Sequence, residues 1–171
     1  IVVPYKFYVS VQTGRRYLAA FIPKQNKYTT FRLDRIRKVK KCGVCEEYES
    51  IRKTFEAKEP HCYGVSFGNG GKDDIPVLVK ITFYADEQTE PFIPARLERE
   101  KRNCKLEKTD ENLYTLTAEI FDVNEIMHWL KTLIGRIVKI EGGSETVNRR
   151  FYSDVERMYD MYGGERDEHI Q

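Results

Sequence analysis

Residues 5–36 read YKFYVSVQTGRRYLAAFIPKQNKYTTFRLDRI, and their pattern decides what the amino-terminal part can fold into. Residues 5–11 alternate, with Tyr5, Phe7, Val9 and Val11 on one face and Lys6, Tyr8 and Ser10 on the other. A period of two marks a half-buried strand. Thr13-Gly14 is a turn signal, and 15–22 reads as a second strand with faces Tyr17, Ala19, Phe21 and Arg16, Leu18, Ala20, Ile22. After a turn from Pro23 to Lys27, residues 28–36 read as a third strand, Phe31 and Leu33 inward, Thr30, Arg32 and Asp34 opposite. Three sequential strands with short turns form a meander, the usual seed of a small antiparallel barrel. Consecutive strands lie side by side, so one face collects Ser10 or Lys6, Arg15 or Tyr17, and Arg32, with Arg35 just past the end of the third strand.

The same stretch carries most of the chain's charge asymmetry. Residues 1–41 hold eleven Lys or Arg and one acid, Asp34, for a net +10, whereas the rest of the chain is net −8. Like charges at that density repel. A folded unit that keeps them points to an anionic partner: a nucleotide, a phosphorylated metabolite or a nucleic-acid backbone. A solvated basic face that matches the acidic remainder is the other reading. Two guanidinium forks and a ring suit a planar ligand bearing phosphate, because arginines clamp oxygens bidentately and a ring stacks on a base. Tyr17 serves equally well as a packed core residue, and Arg32 as a surface partner of Asp34 or another acid.

Val44, Tyr48, Ile51 and Phe55 recur at helical spacing, giving a helix over 44–58. GVSFG (64–68) reads as a short strand and GNGGKDD (68–74) as a flexible loop and domain boundary. The loop lacks the flanking strand and helix of a P-loop. Beyond it the sequence predicts a strand over 76–84, a helix over 90–101 with Phe92, Ala95 and Leu97 apolar, and a hairpin of 105–108 with 113–121. A helix over 124–134, a strand over 136–141 and a last helix from Ser144, stopped at Gly163-Gly164, complete the chain. The first six of these elements follow the ferredoxin-like β-α-β-β-α-β order. The fold class expected is α+β: a small antiparallel barrel with one helix over 1–72, then an α+β domain over 73–171.

With 171 residues, 40% of them hydrophobic, the chain can bury a real core, which excludes disorder as its main state. No run of 18 apolar residues offers a membrane-spanning helix. The start, IVVPYKFYVS, is not a signal peptide, and its strand-like character without Met suggests a piece of a longer protein. The four cysteines, Cys42, Cys45, Cys62 and Cys104, read as reduced, in a cytoplasmic protein. Cys42-Gly43-Val44-Cys45, with His61 and Cys62, is the pattern a redox or zinc protein would use. The stretch before it is Lys-rich, however, and adjacent His61 and Cys62 reach one tetrahedral metal poorly. No metal or cofactor is expected. His61, His128 and His169 are scattered, and no nucleophile or base with an orienting partner can be assembled, so no enzyme is expected.

The stretch from Pro4 to Lys40 resembles the WYL domain of bacterial transcriptional regulators. Arg16-Tyr17-Leu18 stands where the family has its Trp-Tyr-Leu triplet, and Phe31-Arg32-Leu33-Asp34-Arg35-Ile36 matches its FRLDRI string. The second half, with WLKTLIGRIVKIEGG before a helix ending in Tyr-Gly, resembles the WCX extension that follows WYL in such regulators. The resemblance implies an Sm- or SH3-like barrel whose basic pocket senses a nucleotide-type or nucleic-acid ligand. It places Ser10, Arg15, Tyr17, Arg32 and Arg35 in that pocket. It also implies a homodimer, control of DNA binding by an amino-terminal helix-turn-helix that this sequence lacks, and a first barrel strand upstream of Ile1. A small-barrel RNA or single-stranded nucleic-acid-binding module without sensing is the alternative.

Overall fold

The structure, a computed structural model, describes residues 1–68, 70, 71 and 74–163. Strands β1 (Val3–Val9), β2 (Arg16–Ile22) and β3 (Lys27–Arg32) form a three-stranded antiparallel sheet in the order β1-β2-β3. The sheet stays open, so the closed barrel expected from the meander is not formed by the described residues. The third strand also ends early. Leu33–Arg35 turns as a 3-10 segment closed by Ile36 N–H donating to the Leu33 carbonyl at 3.1 Å, so Asp34 and Arg35 lie on a turn.

The inward face of β3 is the reverse of that expected, and β1 packs residues from both of its alternating sets. The pairing of β1 with β2 slips between Pro4 and Lys6, leaving Tyr5 as the extra residue of a bulge. A bulge breaks the period of two, because a slip of one residue moves the side chains that follow to the other face. Tyr5 and Tyr8 therefore both pack on the core, while Phe7 and Val9 are 67% and 62% exposed. Across the sheet, Tyr17, Ala19 and Phe21 stand opposite Arg32, Thr30 and Tyr28. They share the covered face, and Phe31 falls on the open one beside Leu18 and Phe7.

Helix α1 (Tyr48–Lys58) covers that face. It starts one turn later than its spacing suggests, and Val44 is exposed. Ile51 and Phe55, four residues apart, point at the sheet. Phe55 is the hub: Tyr5 stacks on it at 4.5 Å, and Tyr28 and Phe67 meet it edge-on at 4.9 and 5.2 Å. Phe67 comes from the stretch expected as a strand, which has no regular structure. Just beyond, Gly70 accepts from Tyr28 N–H at 2.6 Å along the edge of β3. A Cβ at Gly70 would meet the Tyr28 carbonyl at 2.2 Å, and its φ of +80° suits glycine, so no larger residue fits there.

The second half adds β4 (Val77–Tyr84), α2 (Phe92–Glu100), β5 (Lys105–Asp110), β6 (Leu113–Ile120), α3 (Val123–Leu130), β7 (Ile137–Gly142) and α4 (Glu145–Tyr162). Its sheet has the order β5-β6-β4-β7, each neighbouring pair antiparallel. Val79, Ile81 and Phe83 alternate inward and are fully buried, forming one core with Leu97, Ile126, Leu130 and Phe151 of the three helices. On α2 the inward residues are Ile93 and Leu97, and Phe92, expected to pack, is 62% exposed. Ser144 occupies the cap position of α4, but its hydroxyl makes no capping bond. The boundary expected at 72/73 and the stop at Gly164 lie outside the described residues.

One half-buried acid ties the halves together. The Glu125 carboxylate on α3 accepts from the backbone N–H groups of Gly64, Val65 and Ser66 at 2.8, 2.8 and 3.0 Å. Burial pushes its carboxyl above the usual range, against these three bonds. This fixes the segment that delivers Phe67 to the first core.

Phe55→Ala should cost about 3–5 kcal/mol in urea unfolding, while Phe7→Ala should stay within ~0.5 kcal/mol. Equal losses would contradict the burial of Phe55 and the exposure of Phe7. Glu125→Ala should cost about 1–3 kcal/mol by stranding backbone donors, and an unchanged unfolding midpoint would show that the clamp carries no stability.

Candidate functional site

The covered face of the first sheet extends past the reach of α1 into one cross-strand row. Tyr8 pairs with Tyr17, and Tyr17 with Arg32. Facing residues in such a row have Cβ atoms about 5 Å apart, so ring and guanidinium are neighbours. Tyr17 and Arg32 are both half-buried, neither fully packed nor free.

Arg32 is held from its own chain. Its Nε donates to Asp34 Oδ1 at 3.1 Å and its Nη2 to Oδ2 at 2.5 Å, a two-pronged pair made possible by the turn at Leu33–Arg35. The Arg32 bonds hold the Asp34 carboxyl below the usual range, opposed by desolvation and helped by the charges of Arg32, Arg35 and Arg15. The same pairing pushes the Arg32 guanidinium up. Arg32 alone pairs with the only acid of residues 1–41, and Arg35 and Arg15 act on its carboxyl through their charge.

Ser10 sits differently. It is 7% exposed and committed to the β1–β2 hairpin: its N–H donates to the Arg15 carbonyl at 2.9 Å, its carbonyl accepts from Gly14 at 2.8 Å, and its hydroxyl accepts from Thr13 N–H at 3.4 Å. Its contribution is to fold the hairpin that positions Arg15. Of the five residues singled out in the sequence, Tyr17 and Arg32 are neighbours, Arg35 follows Asp34 on the turn, Arg15 lies exposed in the β1–β2 hairpin without a carboxylate within 4.0 Å among the described residues, and Ser10 supports that hairpin.

A second carboxylate serves the same sheet. Glu59 Oε1 accepts from Lys6 Nζ and from the Tyr8 hydroxyl, both at 2.5 Å, and Oε2 accepts from Tyr5 at 3.4 Å. Burial raises the Glu59 carboxyl, but the Lys6 and Tyr8 bonds outweigh it and hold the group below its ordinary value. Nothing in the sequence near Lys6 points to an acid 53 residues away. Lys6 and Arg32 are the only two of the eleven bases in residues 1–41 that have a carboxylate within 4.0 Å among the described residues. Arg15, Arg16, Arg35 and Arg37 are exposed, as are Lys38, Lys40 and Lys41 in the irregular segment that follows. Lys58 is another unexpected feature: it is buried, its ammonium 4.6 Å from the Phe121 ring centroid and 5.9 Å from that of Tyr28.

The cysteines stand apart from this face. Cys42 is exposed, Cys45 and Cys62 are half-buried, Cys104 is buried, and all four are free. Burial pushes the Cys62 thiol up to about 12 and that of Cys104 to about 11. Among the described residues no three His, Cys, Asp or Glu gather as metal ligands. No helix among the described residues is long and apolar enough to cross a membrane.

Residues 1–41 match the family model described as the WYL domain, a domain known in regulators as a ligand-sensing region. No curated protein and no solved structure matches the chain.

Ellman's reagent on the native protein should label Cys42 at once and Cys104 only after denaturant. Immediate labelling of all four thiols would contradict the packing around Cys62 and Cys104.

Proposed function

We propose that residues 1–41 form the effector-sensing part of a transcription regulator and bind a ligand bearing phosphate on the face of Arg15, Tyr17, Arg32 and Arg35. The observation that carries this is the two-pronged hold of Arg32 on a carboxylate beside the half-buried Tyr17, with the exposed Arg15 and Arg35 free of any carboxylate within 4.0 Å among the described residues. Guanidinium forks match phosphate oxygens, and the Tyr17 ring offers a stacking surface for a base. The family match over the same residues supports the sensing role.

In this reading Ser10 acts through the hairpin, and the protein senses without catalysis. The second half, whose order β5-β6-β4-β7 with intervening helices supports a split β-α-β arrangement, serves as the WCX-like extension, with the division between the parts near residue 72. The protein works in the cytoplasm as a homodimer, and its DNA contacts come from a helix-turn-helix outside these residues. A second reading has one observation in its favour. Arg37, Lys38, Lys40 and Lys41 lie exposed along an irregular segment, which suits tracking of a single-stranded backbone without sensing.

Fluorescence anisotropy against labelled single-stranded DNA and labelled nucleotide tests the proposal. Affinity should fall steeply with salt, and Arg32→Ala with Arg35→Ala should lower the slope against log salt for the DNA by about 1.4, two contacts at ~0.7 each, with an unchanged circular dichroism spectrum. Nucleotide binding that survives competition by DNA supports sensing, and DNA binding alone supports the second reading. Unaltered affinity in the double variant would overturn the site.

A further inference from the structure

Asp34 is the single acid among the eleven bases of residues 1–41, and it occupies the best anion-binding group on the sheet. Both of its oxygens take part, as a phosphate's would. The carboxylate is nonetheless loosely placed. Its side chain is 59% exposed, against 23% for Arg32, and it reaches the guanidinium from a turn only two residues on. It can swing into solvent without uncovering any core.

We infer that Asp34 is a built-in competitor for the anion site: it holds the Arg32 fork until a stronger anion displaces it, and it thereby selects phosphate-bearing ligands with two or more negative charges over monocarboxylates. The inference rests on the proposed anion site and narrows what that site accepts.

The selection follows from exchange. A ligand must replace a carboxylate that is tethered beside Arg32 at an effective concentration of about millimolar or more. A monocarboxylate offers Arg32 the same two oxygens and one charge, so it gains nothing in the exchange and loses the tether. A terminal phosphate or a pyrophosphate also satisfies Arg32, and it carries further charge for Arg15 and Arg35, which have no carboxylate within 4.0 Å among the described residues. Displacement also sends a negative charge out of the cluster, so a ligand with only one charge leaves the cluster no better neutralised than before. Asp34 thus sets a threshold of ligand charge, and the arginines behind it supply the affinity.

Isothermal titration with inorganic pyrophosphate and with acetate tests this on the whole chain. The unmodified protein should bind pyrophosphate and give no heat with acetate. Asp34→Asn keeps the size of the side chain and removes its charge, and it should tighten pyrophosphate binding about two- to fivefold, the scale of an exposed pair of this kind. Glu46→Gln, an equal charge change at an exposed position outside the cluster, should change it by less than half as much. In an Arg32→Ala background, Asp34→Asn should bring no gain. Affinity that is unchanged or weaker in Asp34→Asn, or an equal gain from Glu46→Gln, would overturn the competitor role while leaving the anion site standing. Pyrophosphate bound by neither the unmodified protein nor Asp34→Asn would overturn the site itself, and the competitor with it.

Discussion

Repulsion between like charges is the constraint on which the first half of the structure depends. A three-stranded sheet with one helix on it has little apolar area, yet residues 1–41 must hold a net +10. Two carboxylates relieve part of that load. Glu59, arriving from the end of α1, takes Lys6 and the hydroxyls of Tyr5 and Tyr8 and so pins β1 to the helix. Asp34 takes Arg32 locally. The first contact is half-buried and structural. The second is exposed and can open. Of the positive charge left unmatched by these two, Arg15, Arg16 and Arg35 lie at the end of the sheet that carries Asp34, Lys24 and Lys27 at the β2–β3 turn, and Arg37 to Lys41 in the irregular segment beyond.

Much of the element order was legible because it rests on local pattern: the strands, the four helices and the hairpin of the second half follow from periodicity and turn residues. What could not be read was set by single long-range events. The bulge at Tyr5 carries no signal of its own, since Pro4-Tyr5-Lys6 continues the alternation on paper, and it brings Tyr5 and Tyr8, which that alternation puts on opposite faces, to the same core. In β3 the covered face is that of Tyr28, which meets Phe55, and not that of Phe31. The early end of β3 was missed for a different reason. Phe31 to Ile36 alternates well enough for a strand, and only the closing bond between Ile36 and Leu33 makes it a turn. For the proposed site, charge and residue type single out Arg15, Tyr17, Arg32 and Arg35, and a pair of Arg32 with Asp34 or another acid is one of the two readings the sequence allows. Glu59 and Glu125 were invisible because their partners lie more than fifty residues away.

The two cores are joined through the segment 60–71 rather than through a broad interface of their own elements. Glu125 grips its backbone, Phe67 from the same segment enters the aromatic cluster around Phe55, and His61 accepts from Phe121 N–H through its carbonyl at 3.0 Å. Gln12, in the hairpin that carries Arg15, donates to the Glu125 carbonyl at 2.6 Å. The hairpin beside the proposed anion site and the linking segment therefore both bond to Glu125, the one through its carbonyl and the other through its carboxylate.

A backbone amide NMR titration with unlabelled pyrophosphate reports most directly on where an anion sits. Signals of residues 15–17 and 32–35 should move together along one saturable curve, with those of the second sheet unmoved. Shifts confined to 37–41, or spread in proportion to charge over the whole surface without saturation, would contradict a defined site on the sheet.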